Sequence, residues 1–336
     1  MHKIPITIVT GFLGAGKTSL VRHLLRAADG RRIALLVNEF GELGIDRELL
    51  LGCGAACPED AMIELANGCI CCTVAEDFLP ALTRLVDRPG RLDHILIETS
   101  GLALPKPLLQ AFHWPEVKAR VTVDGVVTVV DAAALAALPA LPALPALAAA
   151  GPAAPDDPIE EVFGDQLAAA DLVLLNKIDC VADAVLAALE AALAARLRPG
   201  VSVVRTLQGA VAPLVLLGLG AAAEDDLAAR PSCHDREEAH DHDDFESFVI
   251  ARGPVADPVG FAATLAAVIA RHGVLRLKGF LDVPGFGFRQ VVQGVGPRIE
   301  RYYDRPWRPD EARSTRLVVI GLKGLDRAAI GAALRG

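Results

Sequence analysis

Aromatic side chains are scarce in this 336-residue chain: 11 Phe, two Trp and two Tyr make up 4%, although hydrophobic residues reach 52%. The apolar content is therefore Ala, Leu and Val. That excludes the Tyr- and Trp-rich pattern of many all-β proteins and suits a parallel sheet covered by Ala-rich helices. Basic charge is also short, with 33 Lys and Arg against 42 Asp and Glu for a net charge of −9. The chain lacks the positive footprint that phosphate-backbone binding needs, so nucleic acid is not an expected partner. The opening MHKIPITIVTGFLGAGK has no charged region, apolar stretch and small-residue cleavage site in succession, so no signal peptide is expected. An uninterrupted apolar helix is missing too. Residues 132–150 (AAALAALPALPALPALAAA) could reach across a bilayer, but Pro139, Pro142 and Pro145 would break a helix three times. The segment 132–158 reads as a Pro/Ala-rich loop insertion, and no membrane association is expected.

Cysteine pairing is the last absence. There are seven cysteines, an odd number, and Cys69, Cys71 and Cys72 fall within four positions. Adjacent cysteines are poor disulfide partners, so the cluster points to a reducing compartment, the cytoplasm, and to metal or redox chemistry.

Continuous apolar runs at Ile4–Thr10, Arg32–Asn38, Asp93–Thr99, Gly125–Val130, Asp171–Asn176 and Val201–Arg205 alternate with helical spacing at Thr18–Ala28, Ala75–Val86 and Ala182–Leu197. This alternation predicts a mostly parallel α/β sheet with helices on both faces, over residues 1–220. Residues 221–244 are acidic and polar, carry His234, His240 and His242, and read as a solvated linker. From 245 to 336 the pattern becomes β-α-β-β-β-α, the order of a small α+β domain of ferredoxin-like type.

Gly11 to Thr18, GFLGAGKT, fits the phosphate-loop pattern between a predicted strand and a predicted helix. Gly14, Ala15 and Gly16 let backbone N–H groups curl around phosphates. Lys17 brings charge to the β/γ oxygens, the Thr18 hydroxyl suits Mg²⁺, and Ser19 continues the first turn. Asn176-Lys177-Ile178-Asp179 closes a later strand and resembles a guanine-reading motif. A carboxylate at Asp179 can accept both guanine N1–H and the exocyclic amine, which adenine cannot supply together. GTP is thus expected over ATP. Between these motifs, the strand ending in Glu98-Thr99-Ser100-Gly101 looks like a Walker B element, with Glu98 serving Mg²⁺ and the Gly101 backbone sensing the γ-phosphate. No glutamine stands out for positioning water, so slow intrinsic hydrolysis is expected. Glu39, Glu42 and Asp46 follow the second strand, where a switch segment would lie; Glu39 is the catalytic candidate there.

Thiolates are soft ligands that favour Zn²⁺, Co²⁺ and Cu(I) over Mg²⁺. Alternation around Ile70 puts Cys69 and Cys71 on one side of an extended backbone, and Cys72 joins if the chain turns. Cys53 and Cys57 read as free thiols, and Cys180 as packing.

With GFLGAGKT, VNEFGELGID, NGCICC, ETSGLALP and NKID in order, the sequence resembles the CobW family of metallochaperone GTPases over nearly its whole length. DHDDFESF at 241–248, LRLKGF at 275–280 and VGPR through DRPW at 295–307 resemble its cobalt-supplying branch. The resemblance implies a GTPase with Cys69, Cys71 and Cys72 as ligands of Co²⁺ (or Zn²⁺). It implies cobaltochelatase of aerobic cobalamin synthesis as the acceptor. A zinc chaperone and a metal- or redox-sensing switch are the alternatives. GTP would order Glu39–Asp46 and the cysteine loop, and hydrolysis would release the metal.

Overall fold

The computed structural model describes residues 3–28, 30–38, 62–65, 78–137, 158–232, 235, 245–295, 298–309 and 311–335. They fall in two compact units, 3–235 and 245–335.

In the first unit the strands are β1 (Ile4–Thr10), β2 (Ile33–Asn38), β3 (Met62–Leu65), β4 (His94–Glu98), β5 (Val121–Asp131), β6 (Leu172–Asn176) and β7 (Ser202–Arg205). They form one seven-stranded sheet in the order β3-β2-β4-β1-β5-β6-β7, with every pairing parallel. The helices are α1 (Lys17–Arg26), α2 (Leu79–Val86), α3 (Pro105–Ala111), α4 (Pro115–Lys118), α5 (Ala132–Ala136), α6 (Pro158–Ala169), α7 (Asp183–Arg196) and α8 (Pro213–Leu216). Strands buried on both faces need apolar residues throughout, which is why β1, β2, β4 and β6 read as unbroken runs. Ile6, Ile8, Ile95, Ile97 and Val123 pack with Leu82, Leu108 and Phe112. Val130, Val173 and Leu175 pack with Leu167, Leu186 and Leu189.

The sheet has one strand more than the sequence reading expected. Four-residue β3 lies at the edge of the described strands and is too short to stand out as an apolar run, although Met62 and Leu65 are buried. β5 also begins earlier than expected, because Asp124 and Gly125 interrupt its hydropathy. The Asp124 carboxylate accepts the N–H groups of Gly218, Leu219 and Gly220 at 2.6, 3.1 and 2.9 Å, which accounts for an acid inside a strand. Part of the polar stretch at 221–244 packs against this unit as well. Glu224 is buried, accepting from Thr122 Oγ1 at 2.6 Å and the Val123 N–H at 2.9 Å. Arg230, 2% exposed, reaches Asp171 Oδ1 at 2.6 Å.

The second unit runs β8 (Phe245–Arg252), α9 (Pro258–His272), β9 (Val274–Leu281), β10 (Phe288–Val295), β11 (Arg298–Pro306), β12 (Thr315–Leu322) and α10 (Arg327–Arg335). Its sheet is antiparallel in the order β11-β10-β9-β12-β8, and Leu265, Ile269 and Ile330 of the helices share a core with Leu277 and Leu317. The α+β class stands, with β11 added to the expected elements. Leu277, Lys278 and Phe280 are buried, so most of the 275–280 segment is core.

No helix of the described residues is long and apolar enough to cross a membrane. Ala132–Ala136 is helical, and residues 138–157 of the Pro/Ala insertion lie outside the described residues.

At the amino end of β4, His94 is 4% exposed and lies 2.8 Å from Thr7 Oγ1 on β1. Burial pushes its pKa from 6.5 down to about 4; Asp124 opposes that shift and Arg31 adds to it. The folded chain holds this imidazole neutral while the unfolded chain protonates it, so stability present at neutral pH is lost as pH falls below 6.5. Urea denaturation should give about 2 kcal/mol less stability at pH 5 than at pH 7.5 from this group alone. His94→Gln should flatten that slope; an unchanged slope would show that His94 is not its source.

Candidate functional site

The carboxyl ends of β1, β4, β6 and β7 meet at one edge of the parallel sheet, where the strand order changes direction on either side of β1. In open α/β sheets this is where ligands bind. The loop after β1 turns through positive φ at Gly11 (130°), Gly14 (74°) and Gly16 (109°). Gly16 is also the N-cap of α1, whose first turn has no side-chain cap. A helix N-terminus left this way suits an anion. Ala15 is buried within the loop, and Thr18 and Ser19 are half-buried in the first turn of α1.

Lys17 is 5% exposed and folds over the loop, its Nζ donating to the Gly11 carbonyl at 2.7 Å and the Phe12 carbonyl at 3.2 Å. Thr18 Oγ1 donates to Glu98 Oε1 at 2.7 Å, joining α1 to the end of β4. These are hard oxygen donors at the mouth of the phosphate loop, the donor set Mg²⁺ prefers. A little further along, a Cβ on Gly101 would stand 2.7 Å from the Leu13 backbone nitrogen. Only glycine lets the loop after β4 lie directly against the phosphate loop.

At the end of β6, Asn176 is buried and acts as a clamp. Its Nδ2 donates to the Ala15 carbonyl at 2.8 Å and its Oδ1 accepts the Gly209 N–H at 3.1 Å. A Cβ on Gly16 would come within 2.3 Å of that amide. Lys177 then adopts a left-handed backbone, φ 61°, a strained turn for a residue with a side chain. It swings the chain outward so that Asp179 is exposed. Lys177 Nζ pairs with Asp131 at 3.1 Å.

The structure thus joins Lys17, Thr18, Glu98 and Gly101 around one loop, with Asn176 holding it from below. Glu39, Cys69, Cys71, Cys72, His234, His240 and His242 lie outside the described residues. Among the described residues there is no cluster of three or more His, Cys, Asp or Glu able to hold a metal. Cys180 corrects an expectation: it is exposed, its Sγ 3.7 Å from Asp179 Oδ2, not core packing.

Sequence reasoning missed Asp131, Gln166 and Gly209. Asp131 ends an apolar strand as Glu98 does, and that shared pattern could have marked it. Gln166 sits on α6 at a buried position four residues after Val162, a polar residue on a core-facing helical stripe.

The nucleotide-binding domain model of CobW/HypB/UreG matches residues 5–205, and the CobW C-terminal domain model matches 245–336. The chain belongs to the CobW/HypB/UreG family of P-loop GTPases. The CobW-type chain from Sinorhizobium sp named "Zinc chaperone CobW" is 53% identical, covering 99% of this chain and 96% of its own. One of the same name from Pseudomonas aeruginosa is 51% identical, covering 100% and 92%. "Zinc chaperone YjiA" from Escherichia coli is 30% identical, covering 100% and 99%. The CobW C-terminal match coincides with the second compact unit.

The Asn176 clamp holds the loop through the Ala15 carbonyl and the Gly209 N–H, away from Thr18 and Gly101. Asn176→Ala should therefore weaken GDP and a non-hydrolysable GTP analogue together, each by about tenfold, because the Ala15 carbonyl and Gly209 N–H lose a buried partner. Calorimetry with both nucleotides checks this; a loss confined to one of them would contradict the clamp.

Proposed function

We propose that this chain binds GTP with Mg²⁺, carries a thiophilic transition metal on Cys69, Cys71 and Cys72, and hands it to an acceptor protein when GTP is hydrolysed. The observation that carries the nucleotide half is the Thr18–Glu98 hydrogen bond at the mouth of the phosphate loop. In this reading Gly14, Ala15, Gly16, Lys17, Thr18 and Ser19 cradle the phosphates, Thr18 and Glu98 hold Mg²⁺, and the Gly101 N–H faces the γ-phosphate. Mg²⁺, when bound, neutralises charge on the β- and γ-oxygens. Glu39 orients the attacking water; its attack on the γ-phosphorus breaks the bond to the β-phosphate oxygen and yields GDP and phosphate. Asn176, Lys177 and Asp179 serve the guanine side, with Asp179 exposed at the turn and able to accept two hydrogen bonds from the base.

The metal half is supported by the C-x-C-C spacing and by full-length relatives whose names make them zinc chaperones. Zn²⁺ is accordingly the favoured cargo and a zinc enzyme the acceptor, in a reducing cytoplasm that keeps the thiolates available. The cobalt reading, with cobaltochelatase as acceptor, keeps its support in the motifs at 241–248 and 295–307. If GTP tightens metal binding, metal tightens GTP binding by the same factor.

An anaerobic competition between Zn²⁺ and Co²⁺, followed by thiolate-to-cobalt absorption with GTP analogue, with GDP and with neither, tests the coupling. Tighter binding with the analogue alone, abolished in Cys69→Ser and Cys71→Ser, is expected. Equal metal affinity in all three nucleotide states would sink it. Base selection has its own test. Asp179→Asn should lower affinity for GTP by about a hundredfold and raise it for xanthosine triphosphate, whose second carbonyl accepts the new amide.

A further inference from the structure

Gln166 is completely buried, yet it is not a spare core residue. Its Nε2 donates to two carbonyls of the loop after β4, Gly101 at 3.1 Å and Ala103 at 3.2 Å. Its main-chain carbonyl accepts from Thr128 Oγ1 on β5 at 2.8 Å, so the end of α6 that carries it is tied to the sheet. Its Oε1 is buried with no hydrogen-bond partner among the described residues. Burying an unsatisfied amide oxygen has a cost that Leu or Met would not incur at the same volume. What only the amide supplies is the pair of donors.

Those donors act on the residue least able to hold its own conformation. A glycine peptide rotates with little steric resistance, and the nearest neighbours of a Cβ placed on Gly101 are all atoms of Leu13. The turn itself is closed by Ser100, which accepts the Leu102 N–H on Oγ at 3.3 Å and the Ala103 N–H on its carbonyl at 3.2 Å. Gln166 fixes the two carbonyls that this turn leaves pointing away from it.

We propose that Gln166 is a positioning residue for GTP hydrolysis: by anchoring the Gly101 and Ala103 carbonyls, it sets the peptide orientation with which this loop distinguishes GTP from GDP. The proposal rests on the reading that the Gly101 backbone meets the γ-phosphate. Gln166 touches no nucleotide; it acts through the loop.

The test uses the full chain and Gln166→Met, which keeps the volume and removes both donors. GDP affinity should stay within about twofold, since the β-phosphate cradle is untouched, while affinity for a non-hydrolysable GTP analogue falls about tenfold. kcat should fall by a larger factor than KM rises, because a misplaced loop costs most in the transition state. Equal loss for both nucleotides, or no loss for either, would overturn the assignment and leave Gln166 a packing residue. Gly101→Ala separates this outcome from failure of the underlying reading. If Gly101→Ala changes the analogue-to-GDP ratio and Gln166→Met does not, only the role of Gln166 is lost. If Gly101→Ala also leaves the ratio unchanged, the loop does not sense the γ-phosphate and both fall. Should Gln166→Met not fold, Thr128→Val, which frees the Gln166 main chain from β5, decides: a smaller shift of the same sign supports the assignment, and an unchanged ratio overturns it.

Discussion

Asn176 gives its amide to the Ala15 carbonyl and takes the Gly209 N–H on its oxygen, so one buried carboxamide spans loops leaving β1, β6 and β7. The contact tolerates no bulk: Gly16 has no space for a Cβ against that amide. Neighbouring features follow from it. The phosphate loop is held at the height where Lys17 can fold back over Gly11, and the start of α1 is placed so that Thr18 meets Glu98. Lys177, immediately next in sequence, must turn left-handed to leave the clamp, and that turn exposes Asp179. A buried amide satisfied on both sides is rigid in a way an apolar contact is not, since rotating it breaks bonds at both ends.

The interior of the sheet is tied to the chain after α8 by a different device. Asp124, inside β5, collects consecutive N–H groups of the chain after α8, and Glu224 bonds back to the same strand. A carboxylate in the middle of a parallel strand looks like an error of pattern; Asp124, like the buried Glu224 outside the sheet, is matched to backbone donors, which is how a buried anion is accommodated. His94 lies in this layer and is kept neutral by the same burial.

Much of this was legible in the sequence, for a physical reason that also marks the limit. β1 runs over the residues its continuous apolar run implied, Ile4–Thr10. α9 is bounded by Asp257, whose carboxylate caps it ahead of Pro258, and by left-handed Gly273; the chemistry of both ends is local and can be read from neighbours. The phosphate loop and the Asn176–Asp179 turn are likewise continuous stretches. What could not be read are the partnerships across the fold: Asn176 with Ala15, Gln166 with Gly101, Lys177 with Asp131. Each joins residues whose local patterns do not mention the other. The short strand β3 and the strand β11 were missed because edges need no hydrophobic run. The cysteine and switch segments, Glu39 among them, rest on motif chemistry alone.

β11 has one more consequence. Among the described residues it borders the C-terminal sheet, and it carries Arg298, Glu300, Arg301, Asp304 and Arg305 along its length; Asp304 accepts from Arg289 of β10, and Arg305 donates to Glu311. A foreign strand laid against it would meet guanidinium and carboxylate groups that must lose water before any ladder bond formed. The charge that hides this strand from a hydropathy reading is also of the kind that discourages a further strand from pairing with a sheet border.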